Sequence, residues 1–318
     1  MRIVRFTSFA ATFAFAAIFF DQSYLWLALT LLLFSFFWNA SLPQFEVTTL
    51  QHLGEQSHHY SKVRVWGSIG FIVIVISLGW LLERFEPSIV PIALFMSAAG
   101  IWLVSLSVPE SASRHMSLEH VPLLTLLRRP AVLAFLTMCF LAQLSHGPYY
   151  TFYTLYLEQY GYSRGLIGQL WALGVFAEVI IFLFMHRWLT RFGLRYVILL
   201  SLLLSALRWL LIALFPENLS LLMGAQLLHA ASYGTYHAAA IAWVHRHFTG
   251  RTQGRGQALY SSVSFGAGGA LGSLLSGYLW LTPGPMWTYL LAAITTLIAL
   301  TISWIWLKED DRQLMAKA

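Results

Sequence analysis

Ten apolar runs, each about as long as a membrane-crossing helix, dominate this sequence of 318 residues. A hydrocarbon core about 30 Å thick is crossed by roughly 20 helical residues. Charged residues make up 10% of the chain, whereas soluble domains carry about 25%. The pattern predicts an all-α membrane protein with about ten transmembrane helices. The runs occupy residues 4–20, 24–44, 65–83, 88–108, 131–157, 165–187, 195–215, 219–242, 256–280 and 286–307.

The basic residues between these runs are distributed very unevenly. If successive loops alternate between the two sides of the membrane, Arg84 and Arg164 fall on one side and nearly all other lysines and arginines on the opposite side. An excess of positive charge marks cytoplasmic loops. We therefore expect a multi-pass protein of the bacterial inner membrane with both termini in the cytoplasm. The net charge of +6 reflects this topology, and no nucleic-acid partner is expected.

The longest loop divides the chain into two unequal parts. Residues 109–130 are polar and basic, and we expect them to form a cytoplasmic linker. Many secondary transporters consist of two six-helix halves, with the substrate bound between them near the middle of the membrane. Residues 131–318 carry six runs and are predicted to form a complete half. Residues 1–108 carry four runs and are predicted to form an incomplete N-terminal half.

Three segments carry a resemblance to a known family: YSKVRVWGSIGF at 60–71, WALGVFAEVIIF at 171–182 and LRW at 207–209. They resemble the phenylpropionate permease family of the major facilitator superfamily. LTRFGLR at 189–195 resembles the degenerate basic loop motif of the superfamily through Arg191, Gly193 and Arg195, with Thr190 in place of its usual acidic residue. The resemblance implies a truncated twelve-helix bundle that runs from the family's third helix to its twelfth.

The missing first helix pair bears on function, because the first helix of this superfamily lines the central cavity and helps to gate it. Two alternatives follow for the chain. Either translation begins upstream of Met1, or the protein is a truncated remnant that does not transport.

Charges inside apolar runs are the main candidates for functional residues, because they are costly at the centre of a bilayer. Arg208 lies about thirteen residues into its run, near mid-membrane by the helical rise. Its guanidinium is predicted to bind a substrate carboxylate through paired hydrogen bonds. The alternative is a structural ion pair with Glu178 on the preceding helix.

Acidic residues are the candidates for proton coupling. Glu178 has no polar neighbour in sequence, so a carboxyl there is predicted to take up and release a proton during symport. Glu46 follows Pro43 in the second run, at a place where the resemblance implies an acidic residue. It is predicted to serve as a second coupling site, and the alternative is a solvated carboxylate at a helix end.

Histidines and aromatic residues complete the predicted site. His229 and His237 share one run, and their spacing of eight places them within about 80° of each other on an α-helix. Histidine titrates in the useful range, so His229 is assigned to proton coupling and His237 to substrate binding, with interhelical hydrogen bonds as the alternative. Tyr150 and Trp171 are predicted to stack on an aromatic substrate.

Small residues recur in the ninth run, where Gly268 and Gly272 are followed by Ser273 and Gly277. This spacing is typical of helices that approach each other closely. The run lies inside a membrane span and has no following lysine, so a phosphate-binding interpretation fails.

Other classes of function find little support. Cys139 is the single cysteine, and the aspartates Asp21, Asp310 and Asp311 all lie outside the runs. No catalytic residue, metal or cofactor is therefore predicted, and an intramembrane enzyme is disfavoured. We expect proton-coupled uptake of a small carboxylate, aromatic if the family name is a guide, by a monomer that alternates its access. Besides the remnant, a transporter of a sugar or a nucleoside is the alternative.

Overall fold

The computed structural model of the protein describes residues 1–53, 60–109, 129–248 and 252–307. These ranges are helical apart from short connections, and they contain no β-strand. Inside a bilayer each backbone N–H and C=O must find a partner within the protein, which a helix provides along its own length. The apolar runs therefore fold as helices.

Four helices form from the first four runs, and three long helices follow residue 129. Their bounds are α1 Arg2–Ala16 with a 3-10 extension Ala17–Phe19, α2 Tyr24–Leu53, α3 Tyr60–Leu81, α4 Ile89–Ser107, α5 Pro130–Gln159, α6 Arg164–Phe192 and α7 Leu194–Leu214.

The eighth and ninth runs are each interrupted by a π-helical turn, in which hydrogen bonds reach one residue further than in an α-helix. The eighth run consists of α8 (Leu219–Leu227), π1 (Ala230–Thr235) and α9 (Tyr236–His247). The ninth consists of α10 (Gln253–Ser261), π2 (Ser262–Gly268) and α11 (Gly269–Leu281). The tenth run forms α12, Pro285–Trp306.

The prediction of about ten helical spans is confirmed. Within the described residues, seven helices are individually long and apolar enough to cross a membrane. The apolar part of α3 is shorter, at Val65–Leu81, and the two remaining spans are those divided by π turns. The predicted linker lies, from residue 110 to 128, outside the described residues.

The chain forms two compact units. The first consists of Met1–Ile69 and Leu81–Ser117, and the second of Gly70–Trp80 and Leu118–Ala318. In the first unit, α1 packs against α2 and α4. Rings join these helices, with Phe15 against Phe34 at 5.1 Å and Phe9 against Trp102 at 5.1 Å between centroids.

The second unit is organised around α5, which packs against α11 and α12. The contact with α11 is made through glycines. A Cβ at Gly147 would overlap the backbone of Gly272, and a Cβ at Gly268 would overlap the carbonyl of Phe140. Of the small residues predicted to allow close helix packing, Gly268 and Gly272 thus lie at such a contact, whereas a Cβ at Gly277 meets no heavy atom within 4 Å.

Candidate functional site

A fully buried arginine stands at the centre of the second unit. Arg208 on α7 is 0% exposed, and its Nε donates to the carbonyl oxygen of Ala225 at 3.1 Å. Its Nη1 donates to Oγ of Ser232 at 3.1 Å. The Cζ atom lies 4.0 Å from the ring centroid of Tyr149, a distance at which a cation is attracted to the π face.

One nitrogen of this guanidinium remains uncommitted. Among the described residues, Nη2 of Arg208 has no hydrogen-bond partner, and no carboxylate oxygen lies within 4.0 Å of the guanidinium. Arginine keeps its charge in proteins, and a buried donor without a partner is costly. Arg208 is therefore a buried cation with one donor that the described residues leave unsatisfied.

Glu178 on α6 is also buried, at 8% exposure. Its Oε1 lies 2.9 Å from Nε2 of His229, which is 4% exposed at the end of α8. A carboxyl and an imidazole at this distance can share a proton and pass it between them.

The ion pair considered between Glu178 and Arg208 is not formed, because Glu178 is directed to His229. Tyr149 links the two charged groups instead. Its ring lies under Arg208 and its centroid is 5.5 Å from that of His229. The Tyr149 hydroxyl donates to Oε1 of Gln226 at 3.0 Å. The ring of Tyr149 therefore lies beside both Arg208 and the histidine that partners Glu178.

His229 and His237 lie on the same side of their helical segment. In a regular α-helix a spacing of eight residues would separate them by about 80°. The rings of His229 and Tyr233 stack at 5.6 Å and 3°, and those of Tyr233 and His237 at 6.0 Å and 7°. The π1 turn explains the difference. It contains more residues per turn than an α-helix, so side chains four residues apart are brought closer to one line along the helix. At the far end, Nδ1 of His237 lies 2.8 Å from the hydroxyl of Tyr260.

The predicted aromatic contacts occupy different places. Tyr150 is 47% exposed and borders a cavity of about 330 Å³. Trp171 lies behind Tyr149, at 4.4 Å between ring centroids, and its Nε1 donates to Oγ1 of Thr154 at 3.2 Å. The cavity is lined by Gln143, Gly147, Tyr150, Tyr233, Phe265, Gly269 and Ser273.

Sequence reasoning missed three polar residues of this site. His146 and Gln143 on α5 are 1% and 5% exposed, and Gln226 on α8 is 0% exposed. Each has a side-chain atom with no hydrogen-bond partner among the described residues: Nε2 of His146, Oε1 of Gln143 and Nε2 of Gln226. The sequence did contain a signal for them, since all three are polar residues inside apolar runs.

The loop motif lies between α6 and α7. Gly193 has a φ of 78°, which favours glycine, and its N–H donates to the carbonyl of Leu189 to end α6. Nη2 of Arg195 donates to the carbonyl of Trp304 at 2.9 Å. The guanidinium of Arg191 lies 5.5 Å from the ring centroid of Phe192. The motif therefore forms a tight turn whose second arginine is fastened to α12.

The side chain of Glu46 lies outside the part of the structure that is described, although its backbone belongs to α2. Across the described residues, no group of three or more His, Cys, Asp or Glu side chains is placed to hold a metal ion.

Three comparisons with known proteins identify the relatives of this chain and of its arrangement of helices. The sequence is 30% identical over 291 residues to a probable 3-phenylpropionic acid transporter of Escherichia coli strain K12, covering 89% of this chain and 76% of that protein. It is 28% identical over 261 residues to a maltose permease of Geobacillus stearothermophilus, covering 80% of this chain and 64% of that protein. A crystal structure of the nucleoside transporter NupG superposes with a TM-score of 0.80 at 16% identity, covering 96% of this chain and 83% of that one.

The class defined by the fold is therefore the major facilitator type of secondary transporter, a multi-pass membrane protein that moves small molecules. Residues 1–291 match the model of the MFS_1 like family, and the chain belongs to this family. The sequence resemblance to the major facilitator superfamily is confirmed.

Proposed function

We propose that this protein imports a small aromatic carboxylate together with protons, by alternating access across the bacterial inner membrane. The observation that carries the proposal is the buried guanidinium of Arg208, which keeps one nitrogen without a partner among the described residues. A permanent cation at this depth is costly unless an anion offsets it. The name of the E. coli relative, a probable 3-phenylpropionic acid transporter, supports a carboxylate as that anion.

Aromatic side chains surround the guanidinium and favour a cargo with a ring. The ring centroids of Tyr149 and Trp209 lie 4.0 and 4.7 Å from Cζ of Arg208. Tyr150 borders the cavity. Offset and edge-to-face contacts between rings add to the gain from burying apolar area. In this proposal Arg208 binds the carboxylate, Tyr150 and Trp171 contribute ring contacts, and His237 lies at the far end of the site.

The proton is assigned to the Glu178–His229 pair. Proton uptake from the outer side converts Glu178 to the neutral acid, and loss to the inner side restores the carboxylate. The ring of Tyr149 contacts both this pair and Arg208, so binding of an anion at Arg208 changes the electrostatic surroundings of Glu178. Glu46 is kept as a second coupling site, and we assign the two ends of the chain to the cytoplasm.

The test is uptake of labelled phenylpropionate into liposomes that contain the purified protein, with the outside more acidic than the inside. We expect accumulation that an uncoupler abolishes, because the gradient then no longer drives the proton step. Replacing Glu178→Gln should remove gradient-driven accumulation while exchange of labelled for unlabelled substrate continues, since a glutamine neither takes up nor releases a proton.

Glu158→Gln is the matched control. Glu158 accepts a hydrogen bond from Nε of Arg164 at 2.6 Å near the end of α5, away from the buried cluster. The control should accumulate substrate as the natural protein does. Absence of phenylpropionate uptake would refute the substrate, whereas accumulation by Glu178→Gln would refute the coupling role.

A neutral hydroxylated cargo is the second candidate, favoured by the two amides of Gln143 and Gln226 near the cavity and the ring cluster. The maltose permease relative and the nucleoside transporter fold point the same way. Uptake of maltose or uridine in the same liposomes, in preference to phenylpropionate, would select this candidate.

A further inference from the structure

Helix α5 presents a polar stripe to the cavity, and two of its residues, Gln143 and His146, have no part in the proposed anion and proton sites. Gln143, His146 and Tyr150 are spaced by three and four residues, which places them on one face of a helix. Gln143 and Tyr150 border the cavity directly. His146 lies behind them, with its ring 5.9 Å from that of Tyr150 and 6.2 Å from that of Tyr233.

The hydrogen bonding of His146 determines what its second ring nitrogen can do. Nδ1 lies 2.8 Å from the carbonyl oxygen of Ala142. A carbonyl oxygen only accepts, so Nδ1 carries the proton. In a neutral imidazole Nε2 is then an acceptor, and this atom is buried with no hydrogen-bond partner among the described residues. Buried acceptors in proteins nearly always have a hydrogen-bond donor, so we expect a donor to bind Nε2 of His146.

Gln143 provides a second polar group one turn away. It is 5% exposed, and its Oε1 has no hydrogen-bond partner within the described part of the chain. The terminal torsion of a glutamine is broad, so its amide can present either its oxygen or its NH₂ group. The stripe therefore offers an acceptor at His146 and an adaptable amide at Gln143.

The stripe lies close to the anion site. The ring centroids of His146 and Trp209 are 4.9 Å apart, and the Cζ atom of Arg208 is 4.7 Å from the Trp209 ring. Both positions therefore border the same indole ring. A small molecule of one ring and a short acid chain spans such a distance.

We propose that the cargo carries a hydroxyl group in addition to its carboxylate, and that His146 and Gln143 bind this hydroxyl. The hydroxyl donates its hydrogen to Nε2 of His146, and the amide of Gln143 donates to the hydroxyl oxygen. The inference deepens the proposed function and rests on it: the carboxylate is bound by Arg208, and the α5 stripe selects hydroxylated aromatic acids over plain ones.

The test compares the binding of phenylpropionate with that of phenyllactate and hydroxyphenylpropionate. Binding to the purified full chain is followed through intrinsic tryptophan fluorescence, in mildly alkaline buffer where an imidazole of ordinary acidity is neutral. At least one hydroxylated acid should bind about tenfold more tightly than phenylpropionate, as expected for a hydrogen bond to an otherwise unpartnered buried group. His146→Phe and, separately, Gln143→Leu should bring this ratio to about one.

His247→Phe is the matched control. Its Nδ1 also lies near the carbonyl four residues earlier, 3.0 Å from that of Trp243, and its ring stacks on Trp243 at 3.8 Å. The control removes the same kind of hydrogen bond, but at the end of α9 and outside the residues that line the cavity. It should therefore keep the tenfold ratio. A ratio that falls equally in all three variants would overturn the proposal.

Other outcomes separate this inference from the proposed function. Equal affinity of the natural protein for all three acids would overturn the hydroxyl site and leave the carboxylate site standing. A different result is that no acid binds but uridine or maltose does, and that His146→Phe weakens this binding. The hydroxyl site would then be supported, and the proposal of a carboxylate cargo would be refuted. Binding of none of these compounds would overturn both.

Discussion

Arg5 and Arg208 both bind backbone carbonyls, and they do so with different results. Arg5 on α1 donates from Nε to the carbonyl of Ser105 at 3.2 Å and from Nη2 to that of Val108 at 2.8 Å. These carbonyls lie at the end of α4, where helical residues lack partners further along the chain. A cation there also complements the helix dipole. Arg5 is a structural cap that joins α1 to α4.

Arg208 binds a carbonyl in the middle of a membrane span. Ala225 lies in the last turn of α8, just before π1 begins, and a change from α to π turns leaves carbonyls available for other donors. Unlike Arg5, Arg208 is completely buried and keeps Nη2 without a partner among the described residues. Depth and an uncommitted donor, rather than the presence of an arginine, are what make Arg208 a candidate binding group and set it apart from a cap such as Arg5.

The largest effect is expected from a substitution that disrupts the contact between α5 and α11 in the second unit. At Gly272 a Cβ would overlap the carbonyl of Leu144 on α5, so Gly272→Leu should lower the free energy of unfolding by about 3 kcal/mol. Gly277→Leu is the control, because no heavy atom lies within 4 Å of a Cβ there. Unfolding in detergent measures both. Equal stabilities would show that α5 and α11 do not meet at Gly272.

The next effect concerns Arg208 itself. Arg208→Gln should lower the rate of carboxylate uptake by about a hundredfold, the usual order for deleting a buried charge that binds an opposite charge. Arg208→Lys should recover part of the rate, because it restores the charge without the planar geometry. Uptake of labelled phenylpropionate into liposomes measures both variants. If Arg208→Gln transports at the natural rate, Arg208 is a structural group like Arg5.

Much of the fold was predictable because hydrocarbon leaves the backbone few choices. Each apolar run became a helix, and the break at Gly193 follows from its positive φ. The π turns were not predictable, since AASYGT at 230–235 has no pattern that separates it from an α-helix. Such turns are typical of functional sites and depend on contacts with neighbouring helices.

The candidate site was predictable in its charges but not in their partners. Arg208 and Glu178 were identified because a charge is costly in an apolar run. Their partners depend on how α6, α7 and α8 are rotated, and no sequence pattern fixes that. His146 was missed, although Gln143, His146 and Tyr150 recur at helical spacing within one run. A search for polar stripes in apolar runs finds it.

The smallest expected effect tests the other side of the comparison. Arg5→Gln removes three hydrogen bonds at the end of α4, and because the guanidinium is partly exposed, water replaces them at little cost. We expect a loss of about 1 kcal/mol in the free energy of unfolding and uptake unchanged. Unfolding in detergent and liposome uptake, performed beside Arg208→Gln, check this. A large loss of transport from Arg5→Gln with stability retained would contradict its role as a cap, and the two arginines would then both belong to the transport mechanism.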